Sequence, residues 1–483
     1  MKKSLVALAV LAATGAYAQS SVTLYGIVEA TVDIGYNRTQ ESTTTTNTFN
    51  AAGNGLLSTV SSTNASQKNN FRIQDGNSQG TGTSRVGFRG TEDLGGGLKA
   101  NFVAEMGFRV DDGCATVSAA AVCSSGNSGG NLFGRNAWGG LSGGFGEVRL
   151  GRQVLGSFGV QGNSWSAGSS NGLYDAGAGT APPMGGIRFS NAIRYMTPDF
   201  GGFKGSLMLS APETNPDGDT FLANSSTSTT TAGVVSTTGA SRRTGVDLAL
   251  EYANGPAYIG FGYNKRDTGN IGSNANPSVA PVAPGTIVVN NNGLLTIGAV
   301  PTALAFPLAA VSPATVTGYT FGGSYDLGVV KPFVNYTRQK SDINGSLTFT
   351  GVLPANNFSQ AVSGDVNARA LSIGLRAPVG AFTVIAGYGR LNQTTNAVFV
   401  TSVVGASQTN AVRVEEKRDA FQLGAQYALS KRTLVEANYG YNRLNSNGTE
   451  VITTGPAAAG RTERLVRGTD RISALNVGLK HSF

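Results

Sequence analysis

The sequence predicts an all-β fold, a 16-stranded antiparallel transmembrane β-barrel with short turns at one end and long loops at the other. Three observations carry it. In the closing stretch 471–483, Leu475, Val477, Leu479 and Phe483 share one face, and Ala474, Asn476, Gly478, Lys480 and Ser482 share the other. That period of two marks a strand with one apolar side. Such a strand at a chain end needs a cover and a partner; a closed barrel supplies lipid for the face and the first strand for the edge. Second, beyond the leader no run approaches the roughly 18 apolar residues that a spanning helix requires. Third, the chain is 40% hydrophobic and 13% charged with 68 glycines, and its mean hydropathy is −0.06. Half of each barrel strand faces water, which holds that mean near zero in a protein that sits in lipid.

Taken in order, the chain opens with a basic segment (Met1-Lys2-Lys3), a short apolar run from Leu5 to Ala13 and an A-x-A site at Ala16-Tyr17-Ala18. Residues 1–18 therefore read as a cleavable signal peptide and 19–483 as a single barrel domain. The first strand places Val22, Leu24, Val28, Ala30, Val32 and Ile34 opposite Thr23, Tyr25, Glu29, Thr31 and Asp33. A polar Thr/Asn/Ser stretch to about Thr83 is too long for a tight turn. Alternation resumes with Arg85 and Arg89 opposite Val86 and Phe88. After the turn at 93–97, Lys99, Asn101, Glu105 and Arg109 oppose Ala100, Phe102, Ala104, Met106 and Phe108. Glu29, Arg89, Lys99, Glu105 and Arg109 are thus candidate lumen-facing charges. Further short turns fall near 143–144, 201–202, 254–255, 326–328, 378–380 and 430–431. Long polar or Pro/Gly-rich segments fall near 111–131, 154–186, 213–241, 268–315, 341–364, 392–416 and 445–468. Aromatic residues near strand ends, among them Tyr25, Tyr195, Phe203 and Tyr427, suit interfacial girdles and equally suit plain strand propensity.

Charge and rare residues narrow the function classes. The chain has 36 basic and 28 acidic residues. Losing Lys2 and Lys3 with the leader leaves a surplus of six, which in an exported barrel favours a positive lumen, or a face meeting lipopolysaccharide phosphates, over nucleic acid. The only histidine, His481, sits two residues from the end. That argues against Ser–His hydrolysis and His-rich metal sites, so no catalytic residue, cofactor or metal is expected. Glycine-rich pieces such as 139–146 lack the Gly-Lys-Ser/Thr ending of a phosphate loop. Acid clusters such as Glu92-Asp93 and Glu415-Glu416 read as solvated loop charge. Cys114 and Cys123 are a candidate loop disulfide, contributing on the order of 2–3 kcal/mol in an oxidising compartment; two separate loop thiols is the alternative.

The stretch Ser84-Arg85-Val86-Gly87-Phe88-Arg89-Gly90-Thr91-Glu92-Asp93-Leu94-Gly95 resembles general porins of Gram-negative bacteria, especially the anion-preferring beta-proteobacterial branch. Val22-Thr23-Leu24-Tyr25-Gly26, Phe145-Gly146-Glu147-Val148-Arg149-Leu150-Gly151-Arg152 and Val477-Gly478-Leu479-Lys480-His481-Ser482-Phe483 resemble the same family, in the expected order. The resemblance implies an outer-membrane homotrimer whose third long loop, here about 154–186, folds inward, with arginines on the facing wall forming a basic ladder. It assigns Arg85, Arg152 and Arg188 to that constriction. Periodicity separately places Arg85 and Arg188 on the polar faces of their strands; Arg152 follows Leu150 at the apolar parity and rests on the family, through a bulge or strand end. Where some relatives carry an acidic Pro-Glu-Phe-Gly-Gly-Asp stretch, Val154–Gly186 holds one acid, Asp175, which leaves the basic side less opposed. The terminal Phe483 is assigned to recognition by barrel-assembly machinery. The expected function is passive diffusion of small anions and hydrophilic solutes. Rival readings are a barrel enzyme, opposed by the histidine count; an adhesin carried by the Thr/Ser loops; and a substrate-specific channel using Trp165 and Tyr174.

Overall fold

The computed structural model describes residues 21–49, 56–75, 84–111, 113, 132–165, 187–211, 226–230, 233–237, 244–267, 286–289, 295–298, 313–350, 358–403, 406–454 and 460–483. The signal peptide, Cys114, Cys123 and Asp175 lie outside them. Strands β1 (Ser21–Phe49), β2 (Leu56–Asp75), β3 (Arg85–Gly95), β4 (Leu98–Gly107), β5 (Asn136–Gly143) and β6 (Gly146–Val154) lead to helix α1 (Gly156–Trp165). There follow β7 (Arg188–Met196), β8 (Phe203–Ser210), β9 (Ser226–Thr230), β10 (Gly233–Thr237), β11 (Gly245–Asn254), β12 (Ala257–Asp267), β13 (Thr286–Val289) and β14 (Leu295–Gly298). The last seven are β15 (Pro313–Tyr325), β16 (Lys331–Thr350), β17 (Phe358–Val379), β18 (Phe382–Val403), β19 (Ala406–Ala428), β20 (Thr433–Thr454) and β21 (Gly460–Ser482).

Antiparallel pairing runs β1–β3–β4–β5–β6–β7–β8–β11–β12 and then β15 through β21. Strand β21 returns to β1, which closes a ring of sixteen. Strand β2 extends the line of β3 as the second arm of a hairpin with β1. Strands β9 and β10 pair with each other and β10 with β16, and β13–β14 form a separate ribbon.

Three short turns share one device. Asp93, Asp199 and Asp326 each accept a hydrogen bond from the amide of a glycine two or three residues on, Gly95 (2.9 Å), Gly202 (2.6 Å) and Gly328 (2.8 Å). All three glycines have positive φ, so an Asx-type bond and a residue without Cβ set each reversal together.

Closure is made at the termini. The amide and carbonyl of Gly26 exchange hydrogen bonds with those of Phe483 at 3.0 and 3.1 Å. A Cβ at Gly26 would lie 2.3 Å from the Phe483 ring and 2.6 Å from the Arg85 carbonyl oxygen, so glycine alone lets the terminal aromatic ring lie on the first strand. The same aromatic-over-glycine pairing recurs at Phe102 on Gly90, Tyr25 on Gly87 and Phe189 on Gly245.

Burial follows the predicted alternation in the lower wall. Leu24, Ile34, Leu250, Leu371, Ile373, Phe421, Leu423 and Leu479 are exposed, while Glu29, Asp33, Asp247, Asn335, Gln422 and Asn476 are buried. Higher up β17–β19 the polarity inverts: Val366, Ala368, Ala397, Phe399, Val412 and Val414 are buried, and Arg369, Arg413, Glu415 and Lys417 point outward. The wall there is organised like a water-exposed sheet.

This revises the expected loops at 341–364, 392–416 and 445–468. The strands run through most of these segments as paired hairpins up to Phe349↔Phe358, Val403↔Ala406 and Thr454↔Gly460. The Thr-rich stretch after β1 pairs with β2 likewise, with hydroxyls of Thr43 and Thr63 (3.3 Å) and of Thr45 and Ser61 (3.1 Å) in contact across it. Polar β-branched residues read as loop in a membrane barrel, yet in water they are good strand formers with cross-strand hydroxyl pairs.

A Gly26→Val substitution is expected to weaken closure by about 1–3 kcal/mol, the usual cost of overpacking. The measurement is the temperature at which the folded band disappears in unboiled gel electrophoresis. Gly144→Ala, at an open turn position, should leave that temperature unchanged.

Candidate functional site

Immediately after β6 the chain turns into the barrel as α1, which settles on the inner wall of β8, β11, β12, β15 and β16. The floor beneath it is built from small residues. Added Cβ atoms at Gly260, Gly262 and Gly322 would collide with Val160, Ser157 and Ser164, one helix residue each. The helix N-terminus ends on Asp247 of β11. Its carboxylate accepts the amides of Gly156 (2.7 Å) and Ser157 (3.2 Å) and the Ser157 hydroxyl. An acceptor there satisfies two of the amides that no helical carbonyl can reach and suits the positive end of the dipole. Along the helix, Asn264 donates to Ser157 (3.1 Å), Gln161 to Thr337 (3.0 Å) and Asn335 to Ser164 (2.8 Å). The helix is therefore held by a buried polar network on a glycine floor.

Arginines gather on the neighbouring arc of wall. Arg85 opens β3, Arg188 opens β7, and Arg135 immediately precedes β5. Three alternate strands thus begin with an arginine after a long connection. Arg135 donates from Nε to Glu105 Oε1 at 2.7 Å in an almost fully buried ion pair. Glu105 also accepts the Tyr25 hydroxyl (2.9 Å) and the Asn136 amide (3.3 Å). Arg152 donates to the Gly134 carbonyl (2.7 Å) and to Ser190 (2.5 Å). Arg188 feels repulsion from Arg135, Arg152 and Arg85 and attraction from Glu105. Its Nε is buried with no hydrogen-bond partner among the described residues. Arg85, Arg135 and Arg188 therefore all act on one carboxylate, which is already engaged with Arg135, and Arg152 adjoins Arg188. Toward the short-turn end, Arg149 lies on the Trp138 ring at 4.0 Å, bridges Glu147 at 2.8 Å and faces Arg194 across the strands.

Arg85, Arg152 and Arg188 are thus close together, but two details differ from the alternation. Phe189, not Arg188, takes the inward position beside Leu155, Ala192 and Met208. The pairing of β6 with β7 shifts between Gly151 and Gln153, and Asn191 has φ 49°, so a bulge offsets the start of β7 and leaves Arg188 at the strand mouth. The same break places Arg152 against Ser190. Glu29 is fully buried, with Lys480 at 3.7 Å and Ser84 bonded to its amide. Arg89 covers the Tyr25 ring at 5.2 Å. Lys99 is exposed and Arg109 half-buried past the end of β4.

Sequence reasoning passed over Arg135 and Asp247. Arg135 repeats the placement of Arg85 and Arg188, an arginine where a strand resumes after a long connection, and that repetition was the available signal. Asp247 carries no local signature, because its helix lies 90 residues away. Among the described residues no group of three His, Cys, Asp or Glu side chains is disposed to hold a metal ion, and the His481 ring contacts Thr433 (2.9 Å).

The family model described as Gram-negative porin matches residues 4–447. The chain is 28% identical to outer membrane porin protein 32 of Delftia acidovorans, covering all of both sequences. It is 29% identical to an outer membrane porin protein of Bordetella pertussis, over 91% of this chain and 94% of that one. Among solved structures, an anion-selective porin from Comamonas acidovorans superposes with TM-score 0.43 at 23% identity, covering 96% of this chain and 100% of the other.

Replacing Asp247 with alanine should detach the helix start, since it leaves two buried amides unpaired at about 1–3 kcal/mol each. Limited proteolysis of the folded barrel is expected to cut within 156–165 in the variant and not in the parent, with single-channel conductance raised or made noisy. Identical proteolysis would refute the anchoring role.

Proposed function

The chain belongs to the Gram-negative porin family and is an outer-membrane diffusion porin, and we propose that it favours small anions and works as a homotrimer. Transport is passive. Solutes cross between the arc of β3–β7, which carries Arg85, Arg135, Arg152 and Arg188, and the inward helix on β11–β16. One observation carries the anion preference: Arg85, Arg135 and Arg188 all act on the one carboxylate of Glu105, and Arg152 adds a fourth cation beside Arg188. The excess cations raise the local potential inside low-dielectric walls, which enriches anions and excludes cations. Segment 154–186 is proposed as the constriction because its first turns are clamped to the wall through Asp247 and the glycine floor. The single acid Asp175 in that segment leaves the arginines weakly opposed.

The Debye length is about 8 Å at physiological ionic strength, comparable to a pore of this kind, so selectivity should fall as salt rises. In a KCl gradient across a planar bilayer, the reversal potential is expected to have the sign of chloride preference. The Arg85→Ser, Arg135→Ser double variant should move it toward zero. A potassium-selective parent would falsify the preference, and an unmoved potential in the double variant would remove these two residues from it. Conductance that closes in three equal steps, together with a trimer mass in detergent, is expected for the homotrimer.

A further inference from the structure

Strand β1 changes partner partway along one edge. From Ser21 to Ile27 that edge pairs with β3, ending at Ile27↔Arg85, and from Ala30 onward it pairs with β2, beginning at Ala30↔Asp75. Between the two, Glu29 has no strand partner on this edge among the described residues. One side chain fills the gap. The Ser84 hydroxyl accepts the Glu29 amide at 3.0 Å and donates to the Glu29 carbonyl at 3.3 Å. The Ser84 carbonyl accepts the Phe108 amide at 3.1 Å, so this one residue joins β1 to the line of β4. Ser84 and Glu29 are both fully buried. A hydroxyl suits the position because a single atom both donates and accepts. Leu24, Val28 and Ile34 are exposed on the outer face around the gap. That sets it in the lipid-facing belt, where an unpaired amide and carbonyl are strongly unfavourable. Arg85 is the next residue, and its charge interacts with Arg135, Glu105, Tyr25 and Glu29.

We propose that Ser84 is a positioning residue of the pore. Its hydroxyl stands in for the missing strand residue, completes the wall between β2 and β3, and thereby fixes Arg85 at the level of Arg135 and Glu105. Without the bridge, β3 is tied to β1 only from Ile27↔Arg85 onward. Arg85 then becomes the end residue of an open ladder, the place where pairing frays first. The role given to Arg85 rests on the anion-selective reading; the bridge between Ser84 and Glu29 does not.

The test compares the full-length parent with Ser84→Ala and Ser84→Thr. Thr91→Ala is the control, since it removes a hydroxyl from the far end of the same strand, where Thr91 donates to Asn101. In the parent, hydrogen exchange at the Glu29 amide is expected to be as slow as at Ile27, whose partner is a strand. Ser84→Ala should speed Glu29 exchange at least tenfold and leave Gly26, bonded to Phe483, unchanged. In a KCl gradient it should also move the reversal potential toward zero by at least half the shift that Arg85→Ser produces. Ser84→Thr restores both readouts, and Thr91→Ala alters neither. Fast exchange at Glu29 in the parent overturns the bridge, and that measurement stands even where Ser84→Ala fails to fold. A parental reversal potential in folded Ser84→Ala overturns the positioning role. So does a Ser84→Thr variant that keeps Glu29 protected yet shows the alanine variant's potential. A potassium-selective parent would fault the anion reading and leave the bridge intact.

Discussion

Backbone hydrogen bonding without water is the constraint from which the rest of this structure follows. In the hydrocarbon layer every strand edge must have a partner, so a sheet survives there only when it closes on itself. Here the last edge is sealed where Gly26 meets Phe483 through two backbone bonds, with the terminal ring lying on the bare glycine backbone. Within the described residues, β1 and β21 are each other's partners from Ile27–Ser482 upward. The Phe483 ring is part of the seam while remaining exposed on its outer side.

A second consequence concerns which solvent each part of a strand meets. The side-chain period of two persists from one end of β17–β19 to the other, yet its meaning reverses partway. Below, Leu371 and Phe421 face out and Gln422 faces in; above, Lys417 and Arg413 face out and Val412 and Val414 are buried. One uninterrupted hydrogen-bonded ladder thus serves in lipid and in water. The crossover falls within single continuous strands, and exposed arginines lie on their outer face at that level.

Inside the ring, the small residues and the charges divide the wall between them. Glycines of β12 and β15 form a floor low enough for a helix to lie on, and Asp247 receives its first amides. The adjoining arc instead has arginines at successive strand mouths, held in place by Glu105, Tyr25, the Gly134 carbonyl and Ser190. The burial of the Arg135–Glu105 pair is costly unless every polar atom is used. Glu105 meets that demand with three donors, which fixes its geometry.

The chain by itself determined the closed sheet, the inside and the outside. Period-two patterns from Val22 to Ile34 and from Leu475 to Phe483, with Asp-x-Gly reversals such as Asp326–Gly328, are local properties that lipid and turn geometry reward directly. It also marked Arg85, because an arginine on a polar strand face is visible in a window of ten residues; the bulge at Asn191 moved Arg188 off the face its alternation gave it. Only the tertiary structure decided which arginines share a level, since that depends on strand register and on the bulge at Asn191, and it added Arg135 to the group. It likewise decided that Asp247 anchors a helix 90 residues earlier and that the Thr-rich segments continue as ladders. Those outcomes depend on contacts between residues far apart in the chain, whose energies no short stretch of sequence contains.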